Sequence, residues 1–135
     1  METQLTERTL TQIDHTRLQR LASISERDAS GAVQALLDGS ELVASADVHA
    51  TVVTMYTQVL LQGDEGSAPY KVTLCYPDDA EPSQGFISVL SPLGASLLGL
   101  RRGDVARWRT PLGDERMARI ADVLFQPEAS GDYTL

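Results

Sequence analysis

Apolar residues recur at helical spacing over the first third of the chain and at strand spacing beyond it, and this change of period divides the sequence. Leu10, Ile13, Leu18, Leu21 and Ile24 share one face of a helix over residues 10–24, with Asp14, Arg17, Gln19 and Arg20 between them. Thr6 or Thr9 can cap its start. After a break from Ser23 to Gly31, Val33, Leu36, Leu37 and Val43 form a second stripe, with Asp38 and Glu41 outside it. Two short helices joined by a tight connection make an antiparallel hairpin. Gly39 inside the second stripe disfavours helix by about 1 kcal/mol, so that helix is irregular or ends early.

From Thr51 the texture turns β-branched, running through Val52, Val53, Thr54, Val59 and Leu61. The cleanest strand is Tyr70 to Tyr76, where Tyr70, Val72, Leu74 and Tyr76 alternate with Lys71, Thr73 and Cys75 to give a buried and a polar face. Gly63 to Pro69 connects it to the strand before, and Pro77 to Gly85 is an acidic, proline-bearing loop. Phe86 to Leu90 reads as another strand, halted at Pro92, with Ser91 as the N-cap of a short helix carrying Leu93, Leu97, Leu98 and Leu100. Val105–Thr110 and Glu115–Phe125 form a final hairpin across Pro111, Leu112 and Gly113. On the last strand Ala118 and Ile120 have one parity and Ala121, Val123 and Phe125 the other, so a β-bulge near Ile120 is needed to bring both sets to one face. The resulting class is α+β, with a helical hairpin over 1–48 and a β-rich domain over 49–135.

Composition narrows the function. With 135 residues, 42% hydrophobic and 22% charged, one compact folded core is expected. No apolar run approaches the ~20 residues of a membrane span, the polar start with Glu2 and Glu7 is unlike a signal peptide, and the lone Cys75 is compatible with a reducing compartment. A cytoplasmic protein is the expectation. The net charge of -8 disfavours direct nucleic-acid binding and makes a protein the expected partner. Basic residues gather late, and Arg101, Arg102, Arg107 and Arg109 form either a basic patch or pairs neutralised by Asp104, Asp114, Glu115 and Asp122.

The run Ile87-Ser-Val-Leu-Ser-Pro-Leu-Gly-Ala-Ser-Leu-Leu-Gly-Leu-Arg-Arg-Gly-Asp104 resembles the carboxy-terminal domain of the GreA/GreB transcription elongation factors, with Thr110-Pro-Leu-Gly113 in the place of that family's Thr-Pro-Gly-Gly hairpin. Val52-Val-Thr-Met55, Leu74-Cys-Tyr-Pro77, Gln126-Pro-Glu-Ala129 and Gly131-Asp-Tyr-Thr-Leu135 are closer to the regulator of nucleoside diphosphate kinase (Rnk) family within that superfamily. The resemblance implies a coiled-coil-like hairpin followed by an FKBP-like domain, a twisted antiparallel sheet packed on a short helix. It also implies binding to RNA polymerase at the secondary channel, where cleavage factors extend a long hairpin whose acidic tip helps to hold magnesium. Helices of ~12 to 15 residues reach only about 18 to 22 Å, roughly half such an arm. The expected function is therefore a regulator that competes with cleavage factors without cleaving RNA; the alternative is control of nucleoside diphosphate kinase levels through another protein contact.

In the related factors an acid-Ser-Pro turn contacts polymerase. Here Leu90 replaces the acid while Ser91 and Pro92 match, so Leu90, Ser91, Pro92 and Leu93 are the expected docking residues. Glu26 and Asp28 fall at the hairpin tip; two carboxylates can share a hard cation, but solvated loop acids are the favoured reading of so short an arm. His15 on the charged side of the first helix and His49 in the linker belong to no Cys/His cluster, and Cys75 has no catalytic partners. No catalytic residue, cofactor or metal is expected. Few aromatic residues are free to line a proline pocket, which argues against prolyl isomerisation despite the fold analogy.

Overall fold

The chain enters its body as a strand where the pattern suggests a helix. The structure, a computed structural model, describes residues 7–24, 32–63 and 68–131. β1 (Thr9–Thr11) pairs in parallel with β2 (Glu41–Val43), setting Thr9 opposite Glu41 and Thr11 opposite Val43. The two helices rise between these strands: α1 spans Gln12–Ile24 and α2 spans Ala32–Gly39. Thr11 Oγ1 accepts the Asp14 N–H at 3.0 Å, so Thr11 rather than Thr6 or Thr9 caps α1. α2 ends at Gly39, and Val43 belongs to β2 instead of the helix.

This shorter start rotates the buried side of α1. Asp14 and Leu18, one turn apart, point inward with Leu21 and Ala22 half-buried beside them, whereas Ile13 is 38% exposed. Leu10, Leu18, Val33, Leu36 and Leu37 join the same buried cluster as Val53, Met55, Leu97 and Ile120. The hairpin base and the β-rich body thus share one core.

Five strands form the main sheet in the order β5-β4-β3-β7-β6. β3 (Gln58–Gln62) lies antiparallel to β4 (Tyr70–Cys75) and to β7 (Glu115–Phe125), and β7 pairs antiparallel with β6 (Val105–Arg109). Val59, Leu61, Val72, Leu74, Ala106, Ala118 and Ile120 line the inner face, covered by the short helix α3 (Pro92–Leu97) and by Leu98 and Leu100 after it. The bulge in β7 is present: Leu61 opposes Ile120 but Leu60 opposes Asp122, leaving Ala121 extra. A second shift falls between Val59↔Val123 and Gln58↔Phe125. Val123 thereby returns toward the core, while Phe125 ends on the outer face.

Other expectations are corrected. β5 (Phe86–Ser88) runs parallel to β4, with Leu74 opposite Ile87, so the sheet is antiparallel except at this edge. The Pro77–Gly85 segment, folded into two short 3-10 turns, carries the chain back alongside the middle of β4, where Phe86 stands opposite Thr73. Thr51–Thr57 is no strand: Val52 makes a single bridge to Arg101, and Thr57 Oγ1 accepts the Thr54 N–H at 2.9 Å in a tight turn. Cys75, expected on the polar side, is fully buried where β5 and the following turn cover the end of β4; its Sγ lies 3.6 Å from the Ile87 carbonyl. Tyr70, at the free start of that strand, is exposed. Among the described residues no helix is long and apolar enough to cross a membrane.

Candidate functional site

The turn from Ser88 to Pro92 is held from several directions. Ser91 Oγ accepts the Gly94 N–H at 3.0 Å and donates to the Ser88 carbonyl at 2.7 Å, while Ser88 Oγ accepts the Leu90 N–H at 3.0 Å. Pro92 occupies the first helical turn, where its missing N–H leaves nothing unpaired. Only glycine at position 94 permits the geometry, because a Cβ there would sit 1.9 Å from the Ser88 carbonyl oxygen. The helix start is therefore pressed against the end of β5.

The other end of α3 is tied to the hairpin base. Arg8 Nη1 donates to the Leu98 carbonyl at 2.9 Å, satisfying an otherwise open helix-end acceptor. Burial lowers the pKa of this guanidinium, partly offset by the charge of Asp104. The Thr9 N–H donates to the Gly99 carbonyl, and Gly99, at φ +84°, lies so close that a Cβ would come within 3.0 Å of Arg8 Cβ. The turn and the helical arm are thus fixed to opposite ends of one short helix.

Beside the turn opens an apolar groove of about 280 Å³. Pro82, Ile87, Leu93, Trp108 and Pro111 form its walls, with Ser91 and Pro92 at its margin. No side chain lining it is ionisable, so it offers a partner apolar area and shape rather than acid–base chemistry. Of the expected docking residues, Ser91, Pro92 and Leu93 border the groove; Pro92 is exposed, and Leu90 is half-buried against the core rather than standing free. Trp108, Ile87, Pro82 and Pro111 were not singled out by sequence. Trp108 was open to detection, because it alternates with exposed Arg107 and Arg109 on β6 and so must face the α3 side. The two loop prolines gave no such signal.

The loop bearing Pro82 is anchored by Tyr56, whose hydroxyl donates to Asp79. Burial, then that hydrogen bond and the charge of Asp79, push the Tyr56 pKa up to about 12. Burial also raises the Cys75 thiol, so it is no activated nucleophile. His15 Nε2 lies 3.1 Å from the Leu37 carbonyl, bridging α1 and α2, and His49 stays exposed beside Thr51. Glu26 and Asp28 lie outside the described residues. Among those described, no group of three His, Cys, Asp or Glu is placed to hold a metal. Arg109 pairs with Glu115 at 2.7 Å and Arg102 with Asp122 at 3.8 Å, both exposed, so the arginine cluster is partly neutralised.

A family model described as the carboxy-terminal domain of the transcription elongation factors GreA/GreB matches residues 48–125, which include the turn and all five strands of the main sheet. The chain belongs to the GreA/GreB family. Within it, the regulator of nucleoside diphosphate kinase of Escherichia coli strain K12 is 36% identical over 104 residues, spanning 77% of this chain and 76% of that protein. Transcription elongation factor GreA of Solidesulfovibrio magneticus is 42% identical over 62 residues, or 46% of this chain and 38% of the factor. The solved GreA/GreB elongation factor from Nitrosomonas europaea has 30% identity and a TM-score of 0.76, covering 90% of this chain and all of that one. The resemblance carried by the Ile87–Asp104 run is borne out, and with it an elongation-factor-like regulator of mixed α+β fold.

Proposed function

We propose that this chain regulates transcription by seating its carboxy-terminal body on RNA polymerase at the secondary-channel entrance, where it excludes cleavage factors without promoting RNA cleavage. The Leu90–Leu93 turn and the adjoining groove form the docking surface, on a domain read as FKBP-like from residue 49 onward. The observation that carries this reading is the attachment of Arg8 and Thr9 to the end of α3, which fixes the arm to the docking helix. A partner that grips the turn therefore also sets where the arm points. With 13 residues in α1, that arm extends about 20 Å from its base, too short to act like the long arm of a cleavage factor.

A competition assay on backtracked elongation complexes tests the proposal. Saturating protein is expected to suppress cleavage stimulated by GreA and to stimulate none itself. Leu93→Asp, which puts a charge beside the groove, is expected to abolish suppression, and a retained native thermal transition separates lost docking from lost folding. Cleavage-factor activity unchanged by polymerase-bound protein rules out the shared entrance. The name of the 36%-identical relative favours a second reading, control of nucleoside diphosphate kinase levels through another protein. Co-purification without polymerase, but with kinase levels that follow the abundance of this chain, selects that alternative.

A further inference from the structure

The outer face of the sheet, turned away from α3 and the groove, bears a surface that polymerase docking leaves unused. Strand pairing sets its composition: Val105 lies opposite Arg119, Arg107 opposite Met117, and Lys71 opposite Leu60. All but the half-buried Leu60 are exposed, with Val105 at 38% and Met117 at 43%. The solvated face of an antiparallel sheet is ordinarily polar, but here aliphatic and basic side chains are interleaved across four strands.

The charges on this face are unbalanced. Its carboxylates, Glu115 and Asp122, already stand beside Arg109 and Arg102. The side chains of Lys71, Arg107 and Arg119 form no ion pair or hydrogen bond with another described residue. A positive surface therefore sits on a chain of net charge -8. Such a chain repels a nucleic acid, charged at every nucleotide, along its whole length, and the exposed aromatic rings of this face, Phe86 and Phe125, lie on the β5 edge and at the end of β7, away from Arg107 and Arg119. Carboxylates interleaved with apolar side chains match the face better than a phosphate backbone does.

We propose that this face docks an acidic, amphipathic segment of a partner protein, with Lys71, Arg107 and Arg119 receiving its carboxylates and Leu60, Val105 and Met117 its apolar side chains. Four neighbouring strands about 4.8 Å apart spread these groups over about 14 Å, a distance that a short helix or extended segment lying across the strands spans. Because the groove opens on the other side of the sheet, both surfaces can be occupied together, and this contact does not depend on polymerase binding.

Fluorescence anisotropy of the full chain with a labelled synthetic peptide of Glu and Leu at helical spacing provides the test, beside the same peptide with Lys for Glu and a labelled oligouridylate. The acidic peptide alone is expected to bind, more weakly as salt rises. Arg107→Glu combined with Arg119→Glu is expected to weaken it at least about tenfold, since each changed charge now repels. Met117→Ser should weaken binding with all charges intact, and Leu93→Asp should leave it unchanged. Thermal midpoints near that of the unaltered chain exclude unfolding as the cause. Equal affinity of the doubly changed protein, no binding of the acidic peptide, or preferential binding of the oligouridylate overturns the proposal.

Discussion

Replacing Asp14 by asparagine is expected to stabilise this protein at neutral and higher pH. The carboxylate is only 3% exposed and accepts the Met55 N–H at 3.1 Å, tying α1 to the turn that precedes β3. Burial is the main reason its pKa is pushed up to about 6; the charge of Glu128 adds to the rise, and the Met55 N–H, Arg17 and Thr11 oppose it. In the unfolded chain the same group titrates near 3.8. The folded state therefore holds the proton more tightly, and this contribution to stability is complete below about pH 4 and lost as pH rises through about 6. The difference between 3.8 and about 6 corresponds to roughly 3 kcal/mol lost by pH 8. Asparagine has nearly the same shape, and its oxygen can still accept from Met55 without charge. Urea unfolding at pH 5 and pH 8 should show Asp14→Asn gaining on the unaltered protein as pH rises, by about 1.4 kcal/mol over this interval, at constant m-value. A variant that is the less stable at pH 8, or whose advantage does not grow with pH, would falsify the assignment of a strained buried carboxylate.

The site invites further measurements. Gly94→Ala drives a methyl into the Ser88 carbonyl and is expected to destabilise by about 3 kcal/mol or more, so an unchanged urea midpoint contradicts the close approach of α3 to β5. Ser91→Ala removes the α3 cap at a loss of about 1 kcal/mol, visible as a lower thermal midpoint; no change would mean that the cap contributes nothing. Arg8→Ala leaves the Leu98 carbonyl without its donor and is expected to lower stability by about 1 to 3 kcal/mol, with faster amide exchange at Thr9 as the local readout. Glu115→Gln breaks an exposed pair and should change the unfolding free energy by less than about 1 kcal/mol.

Local chemistry was legible wherever it is written in a few adjacent residues. Ser91-Pro92 specifies a cap and a helix start, the parity conflict in β7 requires a bulge, and Gly39 ends α2 as its propensity suggests. What escaped depends on residues distant in sequence. Leu10 has helical spacing, but pairing between Thr9 and Glu41 draws it into a strand. Asp14 looks solvated until the Met55 N–H supplies its partner, and Cys75 looks exposed until β5 covers it. The Ser88–Pro92 turn was visible as a motif. The groove beside it was not, because Pro82, Trp108 and Pro111 come from three separate segments brought together only by the sheet and its loops.

The parallel pairing of β1 with β2 makes the helical arm a closed excursion whose two feet stand side by side. Thr11 opposite Val43 joins the points where the chain leaves and re-enters the body, and the cost of closing such a loop grows only slowly with the chain between. Helical turns added to or removed from α1 and α2 in register would therefore change the reach of the arm while leaving its mounting intact. Reach and attachment become separately adjustable quantities, so one body can carry arms of different length on the same mounting.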